Sequence, residues 1–454
     1  MSVINRLVRD KPPFIKKIAY SAIPFRYRYG AKFGETYDFL SKSKNWPTQR
    51  LLDYQFVELQ KLLWHAYKNV PYYTKVFNER GITPANIRTT EDIKLLPILT
   101  KEIIRDNFED LIATNVSRSS LIDFKTSGST GNKLHFVGTD DMFKKECAFV
   151  LRAYEAHGAT LYDKPSVWLR RYSPEDEGAP LWYYDYELKR LYMSAFHLTK
   201  DTLPLYLEEI AKHDYHTLVG YPSSVYMLAT FLEETKNRPP EFRGIHVASE
   251  KVLEQWKNKG EEILGTPVKS HYGQMEKVSL FFQTTESDHY TEALEYGVTE
   301  FVPHEGENLV VATGFLNYAM PFIRYRMNDT AILLENSDIN NVGLPTNVAD
   351  FNGRCDDILR AKNGAGIPGV NFYTMMYKIK DVKMFQINQK SSEHVVCKIV
   401  PIENSVSRID ETISLVKAGL AQRLGELSID IKVVDHIERN KTTGKIRCIF
   451  NEIQ

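Results

Sequence analysis

The sequence predicts an α/β protein in two parts, a large domain of mixed parallel sheets and helices followed by a small α+β domain. Three observations carry this. At 454 residues the chain exceeds one ordinary hydrophobic core. From about residue 120 to 350, short β-rich runs alternate with helical ones, the pattern of parallel strands joined by crossover helices. After about residue 355 the texture changes to β-runs around a single helix, a unit of roughly 100 residues that can hold its own core. The expected division is therefore residues 1–355 and residues 356–454.

The first part of the large domain, to about residue 115, reads as helical. Phe56, Leu59, Leu63 and Ala66 recur at helical spacing, Pro71 stops that run, and Thr90-Glu91-Asp92 resembles a cap before a short helix. The basic, aromatic stretch from Lys16 to Lys32 reads as a helical arm ahead of a membrane-surface segment. Leu121 to Lys125 and His135 to Val137 are short strands. Further strands are expected at Ser166 to Leu169, His216 to Val219, Gly244 to Ala248 and Pro267 to Lys269. Helices are expected at Pro204 to Lys212, Ser224 to Glu234 and Val252 to Leu264. In the small domain the expected strands are Met384 to Asn388, Val395 to Val400, Ile429 to Val434 and Ile446 to Phe450, with a helix from Ile409 to Leu424.

Composition removes several function classes. Lys+Arg and Asp+Glu both number 58, so no basic excess recommends nucleic acid as a partner. No run of about 18 apolar residues predicts stable membrane insertion. Cys147, Cys355, Cys397 and Cys448 stand singly, without zinc spacing or a C-x-x-C pair, which fits reduced core thiols and a cytoplasmic location.

Five segments carry candidate chemistry. Thr126-Ser127-Gly128-Ser129-Thr130-Gly131 joins two strands with hydroxyls and glycines only, a composition suited to gripping phosphate oxygens and equally to a polar turn. It is not a Walker A loop: Gly128 and Gly131 are too close, and Leu134 follows Lys133 where a hydroxyl is needed. His271-Tyr272-Gly273-Gln274-Met275-Glu276 ends a β-run with an aromatic, a glycine and a carboxylate. These suit a nucleobase face and a phosphate-bound Mg²⁺, or else a plain helix start. Ile323-Arg324-Tyr325-Arg326-Met327-Asn328-Asp329 ends on a carboxylate able to accept both ribose hydroxyls, or is an amphipathic strand with a turn Asp. Gly353-Arg354-Cys355-Asp356-Asp357-Ile358 sits where composition changes and suits a bendable link or a capped helix start. Lys441-Thr442-Thr443-Gly444-Lys445-Ile446-Arg447 is a basic glycine turn, either a mobile point charge or a solvated hairpin tip.

In this order and spacing the five segments resemble the adenylate-forming superfamily, whose members include acyl-CoA synthetases, luciferases and peptide-synthetase adenylation domains. The similarity is greatest to the phenylacetate–CoA ligase group with its CapK-like capsule-biosynthesis ligases. It spans nearly the whole chain, including Asn69-Val70-Pro71-Tyr72-Tyr73 and Leu95-Leu96-Pro97-Ile98-Leu99-Thr100-Lys101. The resemblance implies that Thr126, Ser127, Gly128, Ser129, Thr130 and Gly131 hold the ATP β- and γ-phosphates, and that Ser249, Glu250, Tyr272 and Gly273 line the adenine. It further implies Mg²⁺ on Glu276, ribose on Asp329 and Arg354, a hinge at Asp356 that makes the small domain mobile, and Lys445 as the adenylation lysine.

Some positions depart from the family's pattern. Lys133 lacks the usual preceding proline and receives no role. Asn328 replaces a glycine, a residue type that tolerates the left-handed backbone fairly well. The implied activity is ATP-dependent activation of a small carboxylic acid as an acyl-adenylate, with transfer to the thiol of CoA or to an amine on a sugar, in polysaccharide biosynthesis. A nucleotide-binding scaffold without turnover is the reading from a different class. Gly220-Tyr221-Pro222-Ser223-Ser224 is expected near the acyl pocket; Arg170-Arg171 and Trp182-Tyr183-Tyr184 find no place in the scheme.

Overall fold

In the computed structural model, the described residues are 11–126, 134–159, 164–170, 172, 180–304, 306–334, 347–354, 359–362, 366–367, 372, 375–376, 379, 381–402, 408–439 and 446–453. The helical start is present. Helix Thr48–Asn69 turns Leu59, Leu62, Leu63 and Ala66 inward, and Pro71 opens the next helix, Pro71–Glu79, at a position where a missing N–H costs nothing. The expected cap at Thr90 is arranged differently. Thr90 makes no capping bond; instead the Asp92 carboxylate accepts from the N–H groups of Arg88 at 2.9 Å and Thr89 at 2.8 Å.

The fold class is as the sequence predicts, with a mixed sheet of 12 strands at its centre. One half is parallel. Strands Arg190–Ser194, Ser166–Arg170, Thr217–Gly220, Gly244–Val247 and Val268–Gly273 lie side by side in that order, with helices Leu203–Ala211, Pro222–Thr235 and Glu254–Leu264 between them in the chain. The other half is antiparallel, through Leu280–Phe282, Tyr290–Glu292, Asn347–Arg354, Tyr325–Leu333, Glu307–Gly314 and Gly297–His304. The strand–helix alternation expected to residue 350 therefore ends near Gly273. Gly297–His304 and Glu307–Gly314 each bury a continuous run of residues, so they lack the alternation by which antiparallel strands are usually recognised.

A separate hairpin, Ile122–Lys125 paired with His135–Gly138, flanks the hydroxyl-rich loop. Its Phe136 and Leu134 pack into the core formed by the early helices and the antiparallel strands. The C-terminal unit is a sheet of 4 strands in the order Ser428–Val433, His394–Pro401, Val382–Ser391, Ile449–Asn451, covered by helix Ile409–Leu424. Its core of Phe385, Ile387, Val395, Val416 and Leu420 also contacts Tyr226, Leu253 and Trp256 of the large unit. The chain leaves the large sheet after Arg354 and enters the small unit's core at Leu359. Asp356, the expected hinge, lies outside the described residues.

Candidate active site

The carboxyl ends of the parallel strands open into a cleft of about 710 Å³, closed on its far side by the C-terminal unit. This edge is where open α/β sheets bind ligands, because every strand ends there in a loop free to carry side chains. Strand Val268–Gly273 delivers Tyr272 and Gly273 into it, and the following turn, with Lys277 at φ 58°, presents Glu276.

The Tyr272 ring lies flat on Phe351, with centroids 3.7 Å apart and planes 7° from parallel. Its hydroxyl donates to Asp329 Oδ2 at 2.6 Å. Burial and the Asp329 charge together push the Tyr272 phenol well above its usual range, so it stays protonated and donating. Asp329 follows Asn328, which takes the left-handed backbone at φ 60° that the sequence anticipated for this glycine replacement. Across the ladder Asp329 pairs with Arg354, whose backbone alone is described. Glu276 is buried, and its Oε1 accepts from the Tyr325 hydroxyl at 2.9 Å. Burial raises its carboxyl above the ordinary range, offset in part by backbone and Tyr325 hydrogen bonds.

The second side of the cleft follows strand Gly244–Val247. Ser249 adopts φ 74°, unusual for a residue with a Cβ, and its Oγ accepts from Arg170 Nη1 at 3.2 Å. Glu250 joins the two units: Oε2 accepts from the Ser223 N–H at 3.1 Å, at the start of helix Pro222–Thr235, and Oε1 accepts from the Ile446 N–H at 2.8 Å. Lys251 bonds the Phe351 carbonyl at 2.7 Å and also Asp350, tying the wall beneath Tyr272. From the C-terminal unit come Lys398, Arg439 and Arg447. Arg439 reaches Ser224 Oγ at 3.3 Å beside the Glu250 charge.

Of the residues singled out in the sequence, Thr126, Ser249, Glu250, Tyr272, Gly273, Glu276 and Asp329 line this one cleft. Thr126 sits at its edge, where its Oγ1 accepts from the Leu134 N–H at 2.9 Å and closes the base of the loop. Ser127, Gly128, Ser129, Thr130, Gly131 and Lys445 lie outside the described residues. Sequence reasoning missed Lys398 and Arg439, which stand apart from any motif. It also missed a stack of three histidines that runs inward from the cleft wall, where His271 lines it. His157 bonds His246, and His246 Nε2 lies 2.6 Å from His271 Nδ1. Burial lowers all three, His157 to about 4 and His271 to about 3, so the stack is neutral. No signal in the sequence joins residues so far apart.

Among the described residues no group of three or more His, Cys, Asp and Glu could hold a metal. The buried carboxylate of Glu276 in the cleft is the kind of donor that Mg²⁺ takes together with substrate phosphates. Nor, among the described residues, is any helix long and apolar enough to cross a membrane.

Comparison with known proteins places this geometry in context. A family model described as the CapK C-terminal domain matches residues 359–452. Protein CapK of Staphylococcus aureus is 23% identical over 415 residues, 89% of this chain and 90% of that protein. A phenylacetate-coenzyme A ligase of Pseudomonas putida is 25% identical over 358 residues, 74% of this chain and 77% of the ligase. The solved structure of a 2-hydroxyisobutyryl-CoA ligase in its postadenylation state, in complex with R3-HIB-AMP, is similar with a TM-score of 0.67. That match has 15% identity and covers 89% of this chain and 90% of the other.

Proposed function

The chain belongs to the adenylate-forming superfamily, on its CapK-like branch, and from that membership we propose that it activates a carboxylic acid with ATP, forming an acyl-adenylate and pyrophosphate. One observation carries the reading: a single cleft gathers Tyr272, Glu276 and Asp329 from the large unit against the segment that immediately follows Lys445.

The chemical difficulty is repulsion, because a carboxylate must attack a phosphate that already bears negative charge. Catalysis is then chiefly charge neutralisation and alignment. Lys445 bridges the acid's carboxylate and the α-phosphate. Glu276 supplies the protein oxygen for Mg²⁺, whose contribution when bound is to offset phosphate charge. Asp329, held by Tyr272, accepts the ribose hydroxyls together with Arg354. The face of Tyr272 not covered by Phe351 serves the adenine, alongside Ser249, Glu250 and Gly273. A Cβ on Gly273 would meet Leu280 Cδ1, His271 Cδ2 and the Ser279 carbonyl oxygen, none nearer than an ordinary 3.5 Å, so protein packing does not demand glycine there and close approach by a ligand gives it a reason. Thr126 to Gly131 grips the departing pyrophosphate. Rotation of residues 356–454 about Asp356 withdraws Lys445 for the second half-reaction.

The acceptor is the thiol of CoA, which the names of the phenylacetate and 2-hydroxyisobutyryl relatives support. The second reading, which rests on the sequence resemblance to CapK-like capsule ligases, puts an amino-sugar amine in place of the thiol. The test is acid-dependent exchange of labelled pyrophosphate into ATP over a panel of carboxylic acids. Exchange that disappears in Lys445→Ala is the expected result, and no exchange with any acid would leave a nucleotide-binding scaffold. Mass analysis after adding CoA or amino-sugar nucleotides then separates thioester from amide.

A further inference from the structure

Arg170, half-buried, is unlike the buried arginines Arg152 and Arg324 of this protein. The guanidinium of Arg152 meets Glu295 at 2.6 Å, and that of Arg324 meets Glu300 at 2.8 Å. Arg170 has no carboxylate partner among the described residues. Its Nη1 donates only to Ser249 Oγ at 3.2 Å, and its Nε–H is buried without an acceptor. The Nε and Nη2 hydrogens form the flat edge of the guanidinium that matches the two oxygens of a carboxylate, and that edge is unclaimed. An N–H left so after burial is a standing cost that an incoming acceptor relieves.

Position gives this edge a meaning. Arg170 ends strand Ser166–Arg170 at the carboxyl edge of the parallel sheet and reaches the cleft lining through Ser249. Its guanidinium carbon lies 5.4 Å from the Tyr221 ring centroid and 5.9 Å from that of Trp168. Arg190, the neighbouring guanidinium without a carboxylate, begins its strand and is occupied by the Tyr29 and Tyr192 hydroxyls. Among the described residues, Arg170 stands at the ligand edge of the parallel sheet with its fork unclaimed.

We propose that Arg170 binds a second carboxylate on the acid that is activated, so that the substrate is a dicarboxylic acid held between Arg170 at one end and the α-phosphate at the other. Ser249 orients the guanidinium, and Tyr221 and Trp168 flank the chain or ring between the two carboxylates. This inference rests on the ligase reading above.

Its test uses the full-length protein in pyrophosphate exchange with matched acids: butyrate against succinate, hexanoate against adipate, benzoate against terephthalate. The expected result is at least one pair in which the diacid exceeds the monoacid tenfold or more in kcat/KM. Arg170→Met, which keeps the aliphatic stem, should erase that preference while leaving the KM for ATP within twofold. Arg170→Lys keeps the charge without the fork and should lose most of the preference, which serves if the methionine variant fails to fold. Preference for monoacids in the wild type overturns the inference alone, as does an equal loss for both classes in the variants. No exchange with any acid overturns the ligase reading and this inference together.

Discussion

The two walls of the cleft are made differently. On the large unit the charged groups are already bonded within their own wall: Asp329 by Tyr272, Glu276 by Tyr325, Lys251 by Asp350 and Lys277 by Glu146. On the small unit cations predominate, Lys398, Arg439 and Arg447 beside the single carboxylate Glu438, and several contacts join that unit to the large one. These include Glu250 to the Ile446 N–H, Lys383 to Glu234 at 2.9 Å, and the packing of Trp256 and Leu253. The difference teaches a division of labour. The large wall is set in place before any ligand arrives and should govern nucleotide affinity. The small wall brings positive charge that the proposed rotation would withdraw, and should govern the chemical step.

The sharpest way to break this division is Lys445→Ala. The proposal expects exchange to fall about 10²- to 10³-fold, the scale of one lost charge-stabilising donor, with ATP binding by calorimetry little changed. Loss of ATP binding with the lysine would make the small wall part of the binding site.

Next in size is Glu276→Gln, which should lower kcat/KM about a hundredfold, or on the order of 3 kcal/mol, and weaken the dependence on Mg²⁺ concentration. Burial raises this carboxyl, so it takes up a proton at a pH above the ordinary carboxylate range. The ionised form is the one that holds a cation; wild-type exchange should therefore decline as pH falls through that raised value. A pH–rate profile in which the glutamine variant keeps the same acid limb would assign the limb to another group.

Tyr272→Phe removes one bond to the Asp329 carboxylate. A hydrogen bond to a charged group contributes about 1.5–3 kcal/mol, so the KM for ATP should rise at least about tenfold with kcat nearly constant. An unchanged KM would mean that Asp329 needs no such support. The smallest effect belongs to Lys383→Ala, across the seam between the units. Its pair with Glu234 is partly exposed and worth less than about 1 kcal/mol, so exchange should change by less than about threefold. A larger change would show that the seam depends on single ion pairs more than on the Trp256 packing.

Much of this was legible in the sequence because it is local. The helix Ile409–Leu424 and the four strands around it follow from periodicity, and Asn328 declared its left-handed turn by residue type alone. Tyr272, Gly273 and Glu276 were legible as well, because they stand at the end of strand Val268–Gly273 in a short motif of aromatic, glycine and acid. What was not legible depends on distance. In the antiparallel half of the large sheet, Gly297–His304 and Glu307–Gly314 hide themselves as strands by burying continuous runs, so alternation is lost. The histidine stack joins residues 157, 246 and 271 through neighbouring strands and a helix that no local pattern relates. Arg170 could be noticed but not interpreted, since the missing carboxylate that distinguishes it is a property of its surroundings.

The double engagement of Glu250 has a consequence for timing. When Ile446 departs in the proposed cycle, Oε2 keeps the Ser223 N–H at the start of helix Pro222–Thr235, where the helix dipole favours negative charge. The carboxylate is never stranded, and the oxygen that is released can turn to water. Undocking at this point therefore lacks the penalty of an abandoned buried ion, and redocking finds the acceptor still aimed. A joint built this way is suited to being opened and closed once per turnover with little wasted free energy, and it sets no deep trap at either end of the swing.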